Sequence, residues 1–106
     1  MKLINTADLP VLEKRPGWSG RLIHSESMTF AHWDFRAGSS IHEHSHDQEE
    51  VWHVLEGQLE LTVSGQTHVA GPGWVAVVPR DALHSVRALT DGKAIVADHP
   101  VRPDFK

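Results

Sequence analysis

Turn signals interrupt this chain roughly every 8–12 residues, and that spacing limits the length of any element it can build. Pro16-Gly17, Gly38-Ser39-Ser40, Glu56-Gly57, Ser64-Gly65, Gly71-Pro72-Gly73, Pro79-Arg80-Asp81 and Asp91-Gly92 punctuate it from end to end. No stretch beyond about ten residues keeps apolar side chains at i, i+3, i+4 and i+7, so an amphipathic helix has no room. Short β-rich runs remain: Arg21–His24, Thr29–Phe35, Ile41–His46, Glu50–Leu55, Gln58–Val63, Thr67–Ala70, Trp74–Val78, His84–Leu89 and Ala94–Asp98. Ser64-Gly65, between two of them, reads as a tight hairpin turn with glycine at a positive φ. Many short strands joined by turns specify an all-β sandwich or barrel. No linker or internal repeat divides the 106 residues, so a single domain is expected over residues 1–106.

Composition excludes several classes of protein. At 40% apolar and 23% charged residues the chain is an ordinary globular mix that can bury one core. Its longest uninterrupted apolar run, Trp74-Val75-Ala76-Val77-Val78, is too short to span a bilayer. Cysteine is absent, which removes disulfides, thiolate metal sites and cysteine nucleophiles together. No apolar signal-peptide core follows Met1-Lys2, so a cytoplasmic location is expected. A formal charge of −4 offers no broad phosphate-binding footprint, and neither nucleic acid nor membrane is an expected partner. No G-x-S-x-G elbow or phosphate loop is present. The unusual count is histidine, nine residues, and adding nine charges to −4 gives +5 on full protonation.

The informative stretch is Gly38-Ser39-Ser40-Ile41-His42-Glu43-His44-Ser45-His46-Asp47-Gln48-Glu49-Glu50. On a strand, alternate side chains share a face, which predicts that His42, His44 and His46 point the same way. A turn at Asp47-Gln48-Glu49 would bring Glu50 back beside them. His84, which follows the turn at Pro79-Arg80-Asp81, is the best candidate for one further ligand. His42-Glu43-His44-Ser45-His46 also satisfies the H-E-x-x-H pattern of zinc proteases. That chemistry needs a helix, and a segment opening on glycine and two serines is a poor amphipathic helix. The match is read as fortuitous.

Gly38, His44, His46, Glu50 and Gly57 match the first cupin motif, G-x5-H-x-H-x3-E-x6-G, at every position. Gly73, Pro79 and His84 match the second motif, from which Asp81 and Ala88 depart where glycine and asparagine are usual. The chain therefore resembles the cupins. The resemblance implies a small jelly-roll barrel (a double-stranded β-helix) with one metal inside it, held by His44, His46, Glu50 and His84. Three neutral imidazoles and a carboxylate suit Zn, Fe, Mn, Ni, Co or Cu rather than Mg or Ca, and do not select among them. A finer resemblance, carried by Gly71-Pro72-Gly73, Val78-Pro79, Asp91-Gly92 and the tail Pro100-Val101-Arg102-Pro103-Asp104-Phe105, is to small cupins of pectin and alginate breakdown. Those proteins assist conversion of unsaturated monouronates to linear keto sugars. The resemblance implies that Arg102 holds a substrate carboxylate. It places an acidic proton-transfer residue at the position of Val96, with Asp98 two residues on and facing the same side.

These readings give an expected site. Asp98 or Glu43 transfers a proton and Arg102 anchors a carboxylate, while His42, Trp52 and Phe35 wall the pocket. His53 has the opposite parity to Glu50 and should face away, and His24, His32, His68 and His99 read as surface residues. The expected activity is isomerisation or ring opening of an unsaturated uronate. The same shell would also serve a metal-dependent dioxygenase, or a cupin that binds or senses a small molecule without catalysis. Edge strands need cover, and the resemblance implies pairing through a sheet face, so a homodimer is expected.

Overall fold

Ten strands form among residues 1–103, the part of the chain described by the computed structural model. They are β1 (Leu12–Arg15), β2 (Trp18–His24), β3 (Thr29–Phe35), β4 (Ser40–His44), β5 (Glu49–Glu56), β6 (Leu59–Val63), β7 (Gln66–Ala70), β8 (Val75–Val78), β9 (His84–Ala88) and β10 (Gly92–His99). A single 3-10 turn at Thr6–Asp8 precedes them. No helix of the described residues is long and apolar enough to cross a membrane. Asp104 and Phe105, part of the tail quoted above, lie outside the described residues.

The strands make two antiparallel sheets in jelly-roll fashion. One runs β1-β2-β3-β10-β5-β8 and the other β4-β9-β6-β7. Alternation decides what lies between them. On β3, Thr29, Ala31, Trp33 and Phe35 are buried, and on β10 Ala94, Val96 and Asp98 are. Glu50, Trp52 and Val54 do the same on β5. Trp18 caps this layer, with ring centroids 5.3 Å from Phe35 and 5.9 Å from Trp52, the latter edge-on. Both aromatic pairs fall within the offset and T-shaped separations that ring quadrupoles favour.

Strand β1 has no counterpart in the sequence reading. Leu-Glu-Lys-Arg shows no period of two, because an edge strand paired only with β2 keeps most of its side chains wet. Its register shifts between Glu13 and Arg15, so a bulge interrupts the alternation as well. The hairpin at Ser64-Gly65 forms with positive φ at both residues (49° and 80°). That is the primed turn whose twist matches a two-residue hairpin. Gly57, at φ 79°, lies where a Cβ would collide with the Asp91 carbonyl and come within 2.7 Å of Thr90 Oγ1. The last glycine of the first motif is therefore fixed by a close backbone approach as well as by its dihedral.

Candidate metal site

The two sheets bring one end of β4, β5, β9 and β10 together. Asp98 pairs with Thr29 on one side and Glu50 on the other, and His44 pairs with His84 across β4 and β9. The loop after β4 is pinned where the Asp81 N–H donates to the His46 carbonyl (2.9 Å). Asp81 itself sits at φ 63°, the left-handed region that explains why glycine is usual at this motif position.

His44, His46 and His84 each offer a ring nitrogen within 4.8 Å of the others, and a second group of that kind joins His46, Glu50 and Asp98. The three imidazoles share one orientation rule. His44 Nδ1–H donates to the His42 carbonyl (2.7 Å), His46 Nδ1–H to Gln48 (3.1 Å) and His84 Nδ1–H to Ala82 (2.8 Å). Each backbone carbonyl accepts only, so each Nε2 is left with its lone pair toward the others. His46 Nε2 lies 3.3 Å from Glu50 Oε2, and His84 Nε2 lies 3.5 Å from Glu50 Oε1. Both Nε2 atoms are buried without a hydrogen-bond partner. Two donors on one cation at ~2.0–2.2 Å stand about this far apart. The donor set thus fits a divalent transition metal.

Electrostatics follow from burial and this crowding. Burial alone would raise the Glu50 carboxyl; His46, His84, Asp98 and the Trp52 indole around it outweigh that and hold it well below the usual range. His44 is lowered, chiefly by burial, which favours the neutral ligand form. Burial also pulls His84 down, but Glu50 and the Ala82 carbonyl raise it overall. Asp98 is pushed up to about 9 by burial, then by the neighbouring Glu50 carboxylate. Neither Asp98 oxygen has a hydrogen-bond partner among the described residues.

Glu50 is held from two more directions. Trp52 Nε1–H donates to Oε1 (2.6 Å), and Arg102 donates through an Nη to Oε2 (3.1 Å). Arg102 is positioned in turn where its backbone N–H donates to Thr29 Oγ1 (2.8 Å). Trp52, Asp98 and Arg102 are therefore all at the site. A cavity of about 30 Å³ lies beside Trp52 and Arg102, lined also by Trp18, Trp33 and the β1 residues Lys14 and Arg15. These last four escaped the sequence reading. Trp33 shares the buried face of Phe35 and reads from the sequence as core rather than as lining, Trp18 and Arg15 face a way that only the pairing of β1, β2 and β3 fixes, and Lys14 falls in the bulge of β1.

Three expectations are corrected. His42 does not share the face of His44: the β4–β9 register slips between Ile41 and His44, so Ile41 and His44 both turn inward. His42 is exposed and bonds through Nδ1 to an Arg15 guanidinium nitrogen (2.9 Å). Glu43 falls in the same slip and is exposed, outside the cavity, which removes it as a proton-transfer residue. Phe35 is buried core at the end of β3 opposite Thr29 and does not line the cavity, although its ring packs against Trp18, which does. It pairs with Gly92 and Trp18 there.

With this geometry in hand, comparison with known proteins decides the family. A profile of the Cupin domain matches residues 31–99. The chain belongs to the cupins. Among solved structures, an RmlC-like cupin protein from Desulfovibrio desulfuricans is 32% identical, with TM-score 0.74 over 96% of this chain and 99% of that one. KdgF from Halomonas sp. is 21% identical, with TM-score 0.91 over 100% and 99% of the two chains. A salicylate 1,2-dioxygenase from Pseudoaminobacter salicylatoxidans is 19% identical, with TM-score 0.76 over 81% of this chain and 28% of its own. The last two share the fold. Among curated protein sequences none matches.

Proposed function

We propose that this cupin binds one divalent transition metal through His44, His46, Glu50 and His84 and acts on a small carboxylated, sugar-like metabolite. Isomerisation or ring opening of an unsaturated uronate is the concrete reaction. The observation that carries it is the convergence of three Nδ1-anchored imidazoles, two of them against the Glu50 carboxylate with buried Nε2 atoms lacking a hydrogen-bond partner. A bound ion would supply Lewis acidity toward a carbonyl or hydroxyl. Arg102 brings a buried positive charge to hold a carboxylate. Asp98 holds or passes a proton at its unpartnered carboxyl oxygens. About 30 Å³ admits one ligand group rather than a whole sugar ring, so the remainder would lie toward Lys14 and Arg15.

The test has two parts. Elemental analysis after purification without added metal should show a stoichiometric transition ion. Absorbance of an unsaturated monouronate should then fall faster with the loaded protein than without it. Metal without acceleration would remove the uronate reaction and leave the binding site; iron together with oxygen uptake would favour the dioxygenase reading.

The partner of this cupin is, in our reading, a second copy. One row across the outer face of the six-stranded sheet reads Val77, Val51, Ala97, Phe30 and Ile23, each paired with the next. The adjacent row is mixed, reading Val75, His53, Ile95, His32 and Arg21, and Val75 and Val77 are 52% and 59% exposed. The two rows across five strands cover about 300 Å² in projection, before the relief of their side chains and the bordering rows are counted. A standard interface takes ~800 Å² from each partner. Glu49 and His99 flank the apolar row on one side, and on the other the mixed row separates it from Lys93 and Asp34. An apolar centre with a polar rim is the anatomy of a docking face.

A further inference from the structure

Three tryptophans line the cavity beside the candidate ligands, and they do not spend their indole N–H groups alike. Trp52 Nε1 donates to Glu50. Trp18 is 1% exposed, and its Nε1 is buried with no hydrogen-bond partner. A buried indole N–H normally finds an acceptor, and leaving one unmade costs on the order of 1–3 kcal/mol. Nothing in the packing requires that loss. Trp18 contributes its hydrophobic area through Phe35 and Trp52 whether or not the nitrogen is satisfied.

The other polar groups around the cavity specify what could satisfy it. Lys14, Arg15 and Arg102 are cationic. The carboxylate in the lining, Glu50, has one oxygen taken by Trp52 and the other by Arg102. The lining therefore presents donors and positive charge to whatever enters. Its volume, about 30 Å³, is that of a single small group.

We propose that Trp18 is a ligand-binding residue whose Nε1–H donates to a carboxylate oxygen of the molecule bound in this cavity. The proposal rests on the functional reading above only in treating the cavity as the ligand site. It adds the residue that selects an acidic oxygen acceptor there. A neutral carbonyl would receive the hydrogen bond without the attraction of the lining's net positive charge, Lys14, Arg15 and Arg102 against Glu50, so the site discriminates by charge as well as shape.

Formate is the probe, being the smallest carboxylate, and formamide is its neutral counterpart of the same size. The four tryptophans give four indole N–H resonances, and Trp18→Phe identifies the one from Trp18 by its loss. Formate added to metal-loaded wild-type protein should shift the Trp18 resonance downfield and saturably, with formamide much weaker. Trp18→Phe, with metal content unchanged, should bind formate about tenfold more weakly. A Trp18 resonance unmoved by formate to tens of millimolar overturns the proposal and leaves the nitrogen to water; an equal response to formamide overturns the carboxylate preference. Because the titration is read on wild-type protein, a variant that fails to fold does not remove the test. Protein that takes up no metal yet shows the formate shift would sink the metal reading and keep this one.

Discussion

Asp98 provides the sharpest test of the electrostatics at this site. Its carboxyl is buried against Glu50, with neither oxygen hydrogen-bonded, and is pushed up to about 9 from an ordinary 3.8. Below 3.8 the folded and unfolded chains both hold the proton, and the fold carries no penalty from this group. Above it the unfolded chain releases the proton while the folded one keeps it, so stability falls steadily as pH rises toward 9. At 1.36 kcal/mol per decade, the interval from 3.8 to 7 amounts to ~4 kcal/mol. Water entering a metal-free cavity recovers part of that, leaving ~2 kcal/mol as the expected penalty at neutral pH. Asp98→Asn removes the titrating group at nearly constant volume and gives Glu50 an amide donor. Thermal melts of chelator-treated protein should therefore place the variant about 10 °C above wild type near pH 7. Near pH 4 the two should coincide. A variant that melts no higher than wild type at neutral pH, or that keeps the same offset at both, would refute burial as the cause of the displaced proton affinity.

Other perturbations probe the remaining parts. His46→Ala should lower metal content and melting temperature together, since ligation is coupled to folding; stoichiometric metal with an unchanged melting point would mean a different shell. Trp52→Phe deletes the 2.6 Å bond that orients Glu50 and should weaken metal binding ~10–100-fold in a competition titration. An unchanged Kd would show that Arg102 suffices to orient the carboxylate. Metal affinity should fall as pH drops from about 8 to 5, because imidazole ligates only when neutral, and a flat profile would count against histidine ligands. Light scattering should give wild type twice the 11.8 kDa chain mass and Val77→Glu the single mass, both with native circular dichroism. Val69→Glu, exposed on the edge strand β7, should leave the dimer intact, and a dimer lost there instead would move the interface to that edge.

Fold class was legible because turn residues are short-range signals. Ser64 and Gly65 dictate their own φ, and the flanking alternation needs nothing beyond neighbouring positions to be read. Strand β1 was not legible, since its register with β2 is set by tertiary pairing and its own four residues carry one apolar side chain. Asp81 lies between these cases. The motif's usual glycine marks a left-handed position, and the structure holds Asp81 at φ 63° while its N–H caps the His46 carbonyl. The departure was visible in the sequence, but only the hydrogen bond shows why the turn survives it.

The same distinction separates the candidate residues that the structure brings together from those that it does not. His44 and Glu50 were found through fixed spacing, and their convergence requires only that β4 and β5 be joined by a tight turn. His42 was assigned to the same face by strict alternation, a rule that holds only while the ladder is regular. One extra residue between Ile41 and His44 cancels it, and the cancellation has a structural use. Without the slip, Ile41 and His44 would face opposite ways, and the inward apolar packing of Ile41 would turn His44 outward. With it, β4 closes the core through Ile41 and still aims His44 at His84, whose ring centroid is 4.2 Å away. His42 is the residue displaced to the surface by that compromise. A bulge of this kind leaves no mark in local composition, so parity arguments on a ligand-bearing strand should be made from the ligand outward, one side of a suspected slip at a time.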